Sequence, residues 1–373
     1  MSINSLAATV CFYCADQNPH RDRSRGITAY SAALLRCLQA RRVRLQAIVS
    51  RSSFAVPAGI ERVHLPFRTD NGTGRLLADH FHALLPAARK TDATRIWHYP
   101  KGFLPLTWQA RGPRIGTVAD MILPYYHDKY PESRHWLSFA YWLRVLRHSI
   151  ERLDLILTVS EFSRRAIAEY AADQHLRCPP IINTYEGVEA PLITLSDIKK
   201  QDSVLHLAST LPHKGTRWLL QSWQQLQGRG KDLPALVLVG EMDASSRHLL
   251  AGLEHVTWHP PMARTALEQQ IAEARALLLP SEIEGFGLPA VEAYLCGTPT
   301  AYVRGTAVAE VLGAGTPGGF ELDMSPDSLQ QALAELLAMS PEATAAKAAE
   351  LRARYAWELC TDRTLAAYQS VLA

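Results

Sequence analysis

The sequence predicts an α/β protein of two domains, each a parallel β-sheet covered by helices on both faces. Length is the first observation: 373 residues exceed what one ordinary domain holds, and two is the natural number. Composition is the second, since 47% apolar and 20% charged residues make a globular balance with ample material for a core. Third, short apolar runs alternate with stretches of helical periodicity, and the alternation restarts after the polar stretch 194–203. Alternation of that kind builds parallel sheets buried on both faces.

Residues 7–14 form a continuous apolar run and read as the first strand. Residues 27–40 follow as a helix, with Leu34, Leu35 and Leu38 at helical spacing. Further strands are read at 45–49, 95–98, 115–118 and 155–159, the last fed by a long helical pattern over 134–152. The second half repeats the scheme. Strands at 204–208, 235–240, 255–258, 276–279 and 300–303 interleave with helices at 216–226, 264–274 and 289–296, and helical segments finish the chain from Ser328. No short repeat occurs, which excludes a solenoid.

A net charge of +3, from 39 basic and 36 acidic residues, argues against nucleic acid as the main partner. The apolar run near the N-terminus is short, lacks a basic flank and runs into the charged stretch 16–25, so it does not read as a signal peptide. Nowhere do 18 apolar residues run together. A cytoplasmic protein with reduced thiols is the expectation for its six scattered cysteines. Cys11 and Cys14 have the C-x-x-C spacing, but they lie in an apolar run rather than a turn, so a buried strand is the better reading than a redox or zinc pair.

The most informative run is Pro280-Ser281-Glu282-Ile283-Glu284-Gly285-Phe286-Gly287-Leu288-Pro289-Ala290-Val291-Glu292-Ala293. It follows a buried strand, so it lies at the carboxyl edge of a sheet, where open α/β sheets bind ligands. Pro289 suits the first turn of a helix. The glycines let backbone N–H groups approach a ligand, and with the helix dipole they make a site for an anionic phosphate. Glu284 and Glu292 would repel a phosphate, so hydrogen bonding to sugar hydroxyls is their better role. The bland alternative is that the glycines serve the turn and Glu292 is a solvated acid of the helix start.

This run resembles the E-x7-E signature of retaining glycosyltransferases with the GT-B fold, particularly family four, with Glu284 and Glu292 as the two acids. The resemblance continues along nearly the whole chain. Val159-Ser160-Glu161-Phe162-Ser163 is similar to the family's V-S-x-x-S segment, and Tyr185-Glu186-Gly187-Val188-Glu189 to its N-G-V-D segment. Leu211-Pro212-His213-Lys214-Gly215 resembles its R-K-G turn, and Gly240 the glycine that ends the next strand. The stretch 305–311, with Glu310, and the terminal stretch 355–368 resemble the family's s-x-x-E-V segment and last helix.

The resemblance implies two Rossmann-like domains facing each other across a deep cleft. Residues 1–195 would be the acceptor-side domain and 196–355 the nucleotide-sugar donor domain, with a last helix over about 356–373 packing back on the first domain. It implies that Glu292 holds the ribose hydroxyls, and that Glu284 with the backbone of Gly285, Phe286, Gly287 and Leu288 holds the donor sugar and distal phosphate. Lys214 would neutralise the diphosphate. His213 stands where the family often has arginine, and Gly26, after a basic loop with Arg21, Arg23 and Arg25, resembles the glycine that admits the phosphate. Catalysis would rest on Asp120, Lys214 and Glu284. Attack on the same face would retain the anomeric configuration, with the leaving phosphate taking the acceptor proton. No metal or cofactor is implied: the nucleotide sugar is a substrate, and the chain has no Asp-x-Asp motif. The base would be read by backbone, around Pro261-Met262.

One departure stands out. The family often carries a His-Asp pair after a strand of the first domain, whereas here the pair is Ala119-Asp120. Alanine donates no hydrogen bond, which opens a second reading: a sugar-nucleotide-binding protein of impaired catalysis that acts as a partner subunit. His98, Lys101 and His127 lie nearby in sequence, each more simply read as a surface or packing residue. The partners implied are a nucleotide-sugar donor and a glycan, lipid-linked or small-molecule acceptor. The helix at 134–152 mixes Trp136, Phe139, Tyr141 and Trp142 with Arg144 and Arg147. A core-facing helix explains it best, with peripheral contact to the cytoplasmic face of the inner membrane as the alternative.

Overall fold

A computed structural model describes residues 6–17, 25–50, 53–66, 69, 72–82, 95–107, 111–196, 198–323 and 325–372. Arg21 and Arg23 lie outside the described residues. The chain folds into two compact units: residues 1–187 with 357–373, and residues 188–356.

Unit 1 runs β1 (Thr9–Tyr13), α1 (Arg25–Ala40), β2 (Arg44–Val49), β3 (Glu61–His64), α2 (Gly72–Phe81), β4 (Arg95–Tyr99), β5 (Arg114–Thr117), α3 (Ile122–Lys129), α4 (Trp136–Arg152), β6 (Leu155–Thr158), α5 (Glu161–Asp173) and β7 (Ile181–Asn183). Among the described residues its seven strands are all parallel, in the order β3-β2-β1-β4-β5-β6-β7. Strands β4 and β6 are buried at every residue; β6 reads as an apolar run, whereas β4 carries Arg95 and His98 among its apolar residues. Edge strands β3 and β7 were not expected from the sequence. Glu61-Arg62-Val63-His64 is mostly exposed and Ile181–Asn183 only half-buried, so neither carries a clear pattern.

Cys11 and Cys14 are free, buried thiols, Cys11 within β1, and burial pushes the Cys11 pKa to about 11. Helix α4 buries Phe139, Leu143, Val145, Leu146 and Ile150, a stripe contributing about 1.5–3 kcal/mol per large side chain. No helix among the described residues is long and apolar enough to cross a membrane.

Unit 2 runs β8 (Ser203–Ala208), α6 (Thr216–Gly228), β9 (Ala235–Gly240), α7 (Ala244–Leu250), β10 (Val256–His259), α8 (Arg264–Glu273), β11 (Ala276–Leu279), α9 (Leu288–Leu295), β12 (Thr300–Val303), α10 (Ala307–Leu312), β13 (Gly319–Phe320), α11 (Asp327–Leu337) and α12 (Pro341–Arg354). Six parallel strands lie in the order β10-β9-β8-β11-β12-β13. Strand order reverses between β8 and β11, the switch point at which open α/β sheets form their crevice. The polar segment before β8 belongs to this unit. Leu192 N–H donates to Glu268 Oε2 at 2.7 Å, and Lys200 Nζ to Ala274 O and Thr298 Oγ1, both at 2.7 Å.

The last helix, α13 (Trp357–Ser370), returns to unit 1 and lies on α1. Tyr368 is fully buried there, with its hydroxyl 2.6 Å from His98 Nδ1, while His98 Nε2 lies 2.8 Å from Thr117 Oγ1. Arg41 pairs with Asp362 at 2.6 Å, and the Trp357 indole covers Gly187 so closely that a Cβ there would sit 2.1 Å from the ring.

Burial lowers the His98 pKa from 6.5 to about 3, and burial likewise lowers His206 of β8 to about 4. The unfolded chain takes up these protons near 6.5, while the folded chain resists them until about 3–4. Stability that is full above 6.5 is therefore lost as pH falls toward 4. Urea denaturation between those values should show a declining midpoint, with a shallower decline in His98→Gln.

Candidate functional site

The site of unit 2 begins with His206 in β8. Its Nδ1 lies 2.9 Å from Leu278 O, which can only accept, so Nδ1 carries the proton and Nε2 accepts from Thr216 Oγ1 at 2.9 Å. That hydroxyl in turn accepts the Ser209 N–H at 3.0 Å. A neutral imidazole thus ties β8 to β11 and pins both ends of the turn between β8 and α6.

Within that turn, Pro212–Lys214 form one 3-10 turn and Gly215 adopts the left-handed conformation at φ 70°. A Cβ at Gly215 would sit 2.2 Å from Pro280 O, so only glycine lets the turn lie against the backbone leaving β11. Glu282 N–H donates to His213 O at 2.8 Å across the same junction. The consequence is an ion pair from distant sequence: Lys214 Nζ to Glu284 Oε1, 2.6 Å. The Glu284 side chain is 9% exposed and that of Lys214 27%, so the ammonium keeps access to solvent.

The loop then turns into α9 through Gly287, left-handed at φ 90°, where a Cβ would meet Val308 Cγ2 at 2.6 Å. No side chain among the described residues caps α9, and Pro289 sits in its first turn. The first N–H groups of a helix lack intrahelical acceptors, and their end of the dipole is positive. Phe286 is buried, edge-to-face on Tyr355 at 5.0 Å, and the Tyr355 hydroxyl donates to Val311 O at 2.9 Å. Its ring is therefore an anchor, and only its backbone can serve a ligand. A helix start without a side-chain cap, a cation and two carboxylates stand on one edge of the sheet.

Glu292 is 41% exposed in the second turn of α9. Desolvation raises its pKa above the ordinary value, the Arg264 guanidinium lowers it, and Glu268 and Glu189 raise it. Arg264 NH2 lies 3.7 Å from Glu292 Oε1. The sequence reading missed Arg264. Its i,i+4 spacing to Glu268 is a helix-surface signal, but its approach to Glu292 exists only in the tertiary structure.

His213 is buried, and burial, then the neighbouring Lys214 ammonium, pulls its pKa down to about 4. At neutral pH it has no positive charge to offer a phosphate, and its carbonyl holds the Glu282 N–H. Gly285 and Leu288 lie in the loop and at the helix start with Gly287.

Gly26 and Asp120 belong to unit 1. Gly26 is the second residue of α1, exposed, with nothing among the described residues within 4 Å of an added Cβ. Asp120 follows β5, and its Oδ1 accepts the Ile122 N–H at 3.0 Å at the start of α3. Ala119 O accepts from Ser163 Oγ at 2.7 Å. His98 is sealed in the core, Lys101 donates to Asp16 O at 2.9 Å, and exposed His127 pairs with Asp128.

Two all-parallel α/β units, with this arrangement in the second, define the GT-B class. The architecture matches that of sucrose-phosphate synthase from Thermosynechococcus elongatus at a TM-score of 0.71 and 16% identity, over 97% of this chain and 98% of that one. Residues 201–339 match the family model of glycosyl transferases group 1. O-antigen chain mannosyltransferase B of Escherichia coli is 29% identical over 294 residues, 74% of each chain. D-inositol 3-phosphate glycosyltransferase of Mycobacterium avium is 30% identical over 190 residues, which span 50% of this chain but only 42% of that protein. The chain thus has the GT-B fold, and its residues 201–339 are similar to the group 1 glycosyltransferases.

Replacing Gly215 by valine forces a β-branched residue to φ 70° and a side chain onto Pro280 O. A loss of about 1–3 kcal/mol in unfolding free energy by urea titration is expected, whereas Gly26→Ala should leave that value unchanged.

Proposed function

We propose that this protein transfers a sugar from a nucleoside-diphosphate sugar, with UDP- and GDP-sugars the first donors to test, to a glycan, lipid-linked or small-molecule acceptor with retention of configuration. The observation that carries the reading is the 2.6 Å Lys214–Glu284 pair beside the uncapped start of α9. The mannosyltransferase and inositol phosphate glycosyltransferase names of its relatives support sugar transfer to carbohydrate or polyol acceptors.

In this reading the diphosphate binds at the start of α9, with Lys214 turning from Glu284 toward it. Glu284 is then released to accept from donor-sugar hydroxyls, alongside backbone groups of Gly285, Phe286, Gly287 and Leu288. Glu292 accepts from the ribose hydroxyls. The bond between the anomeric carbon and the phosphate oxygen breaks as the acceptor oxygen bonds to that carbon on the same face. The acceptor proton passes to the departing phosphate oxygen, so no protein base is required. Lys214 and the helix end stabilise the charge that develops on the leaving group, and no metal or cofactor is assigned. Asp120 is given a contact to sugar or acceptor. Gly26 gives room for the phosphate, and His213 supports the Lys214 turn as a neutral group.

A peripheral contact to an anionic membrane belongs to the same reading. It rests on Trp136, 69% exposed, and Leu137, 55% exposed, at the start of α4 beside Arg134. Co-sedimentation with anionic vesicles, lost on Trp136→Ala, is the expected result.

Thermal-shift titration with UDP, GDP, ADP, dTDP and their sugar conjugates tests the donor claim. One nucleotide at about 100 times its dissociation constant should stabilise the protein by about 2.7 kcal/mol. Glu292→Ala should abolish the effect, and Lys214→Met should weaken diphosphates more than nucleosides. No stabilisation by any nucleotide would falsify the donor site. Binding without transfer across a broad acceptor panel would favour the second reading, a catalytically impaired partner subunit, which Ala119 motivates.

A further inference from the structure

Arg264 is the first residue of α8, and its guanidinium stands among three carboxylates of unit 2. Nε donates to Glu268 Oε1 at 2.9 Å. Glu268 is itself fixed: it is buried, and its other oxygen accepts the Leu192 N–H at 2.7 Å. With Nε held, the planar fork has little freedom left. One terminal nitrogen faces Glu189 Oε2 at 3.6 Å and the other faces Glu292 Oε1 at 3.7 Å. Both separations give electrostatic attraction without a hydrogen bond, so the Glu292 oxygens keep their lone pairs for a ligand.

We propose that Arg264 is a positioning residue for the nucleotide half of the site: clamped by Glu268, it orients the Glu292 carboxylate and keeps it ionised while leaving its oxygens available to vicinal hydroxyls. The inference rests on the assignment of Glu292 to the ribose. An ionised carboxylate accepts through both oxygens, whereas protonation turns one of them into a donor, and here three acids crowd one cation. Without the Arg264 guanidinium, Glu189 and Glu268 would both favour the protonated form of Glu292. Its raised pKa has that balance of causes: desolvation first, then the opposing Arg264, then Glu268 and Glu189. Helices α10 and α12 and strands β11 and β12 also pack against α9. Among the described residues they add no charged group that shifts the titration of Glu292.

The test is the pH dependence of the dissociation constant for the best-bound nucleoside diphosphate, by calorimetry on the full chain from about pH 4.5 to about pH 8. In the wild type, affinity falls on the acid side as Glu292 protonates. In Arg264→Gln the midpoint of that fall should move up by about one unit, which is about a tenfold loss of affinity on the acid limb, with a smaller loss at pH 8. Arg264→Lys should restore much of the midpoint but less of the affinity, because an ammonium lacks the fork. An equal loss at every pH, or an unmoved midpoint, overturns the proposal. If Arg264→Gln does not fold, Glu189→Gln at the exposed end of the cluster decides. Removing that carboxylate should move the midpoint down, and no movement overturns the proposal equally. Glu292→Ala separates the two claims. Undiminished binding in that variant removes the ribose assignment itself, whereas lost binding together with an unmoved midpoint in the Arg264 variant removes only the role of Arg264.

Discussion

Parallel pairing of β8 with β11 places the ends of two loops side by side, and the close contact of Gly215 with Pro280 is what turns that adjacency into a site. From this contact follow the Glu282–His213 backbone bond and the meeting of Lys214 with Glu284. The His206–Thr216 link beneath it fixes the turn from the core side. The glycine is therefore a steric requirement of backbone against backbone, whatever ligand the site takes. The charges above it depend on a junction that has no charge of its own.

Much of this architecture was legible because buried parallel strands need apolar residues on both faces. β9 and β11 appear in the sequence as Ala235–Gly240 and Ala276–Leu279, at the bounds the structure shows. Edge strands β3 and β13 escaped notice for the converse reason: β13 is two residues long, and β3 presents charged residues to solvent. Within the site, the Gly-Phe-Gly-Leu-Pro run after a buried strand suggested a phosphate-binding helix start, and the glutamates flanking it suggested contacts to sugar hydroxyls. Spacing along the chain could not say that His213 would be buried and neutral, or that Arg264, 28 positions before Glu292, would face it. Such facts arise from packing between elements that the sequence separates.

The two units manage buried polarity by the same physical rule. In unit 1, His98 sits between the Tyr368 and Thr117 hydroxyls, and in unit 2, His206 sits between the Leu278 carbonyl and the Thr216 hydroxyl. Each imidazole has both nitrogens satisfied, so its burial leaves no orphaned polar atom. Each also crosses a long stretch of sequence, 270 residues in the case of His98 and Tyr368. These bonds specify which distant elements meet, in addition to the apolar contacts around them.

That 270-residue span has a consequence for how the protein is made. Unit 2 is one continuous stretch of chain, whereas unit 1 is completed by 357–373. During synthesis, domains generally fold as units, the N-terminal one first. Here the order is inverted at the last step. The sheet of unit 1 leaves the ribosome early, but Tyr368, Leu365 and Cys360 reach their buried positions only after unit 2 has been made. Unit 2 has by then been fully synthesised, so the first-made half of the molecule is the last to close. A ribosome stalled before residue 357 would hold a complete unit 2 and an unfinished unit 1, its α1 surface bare where α13 belongs and accessible to chaperones.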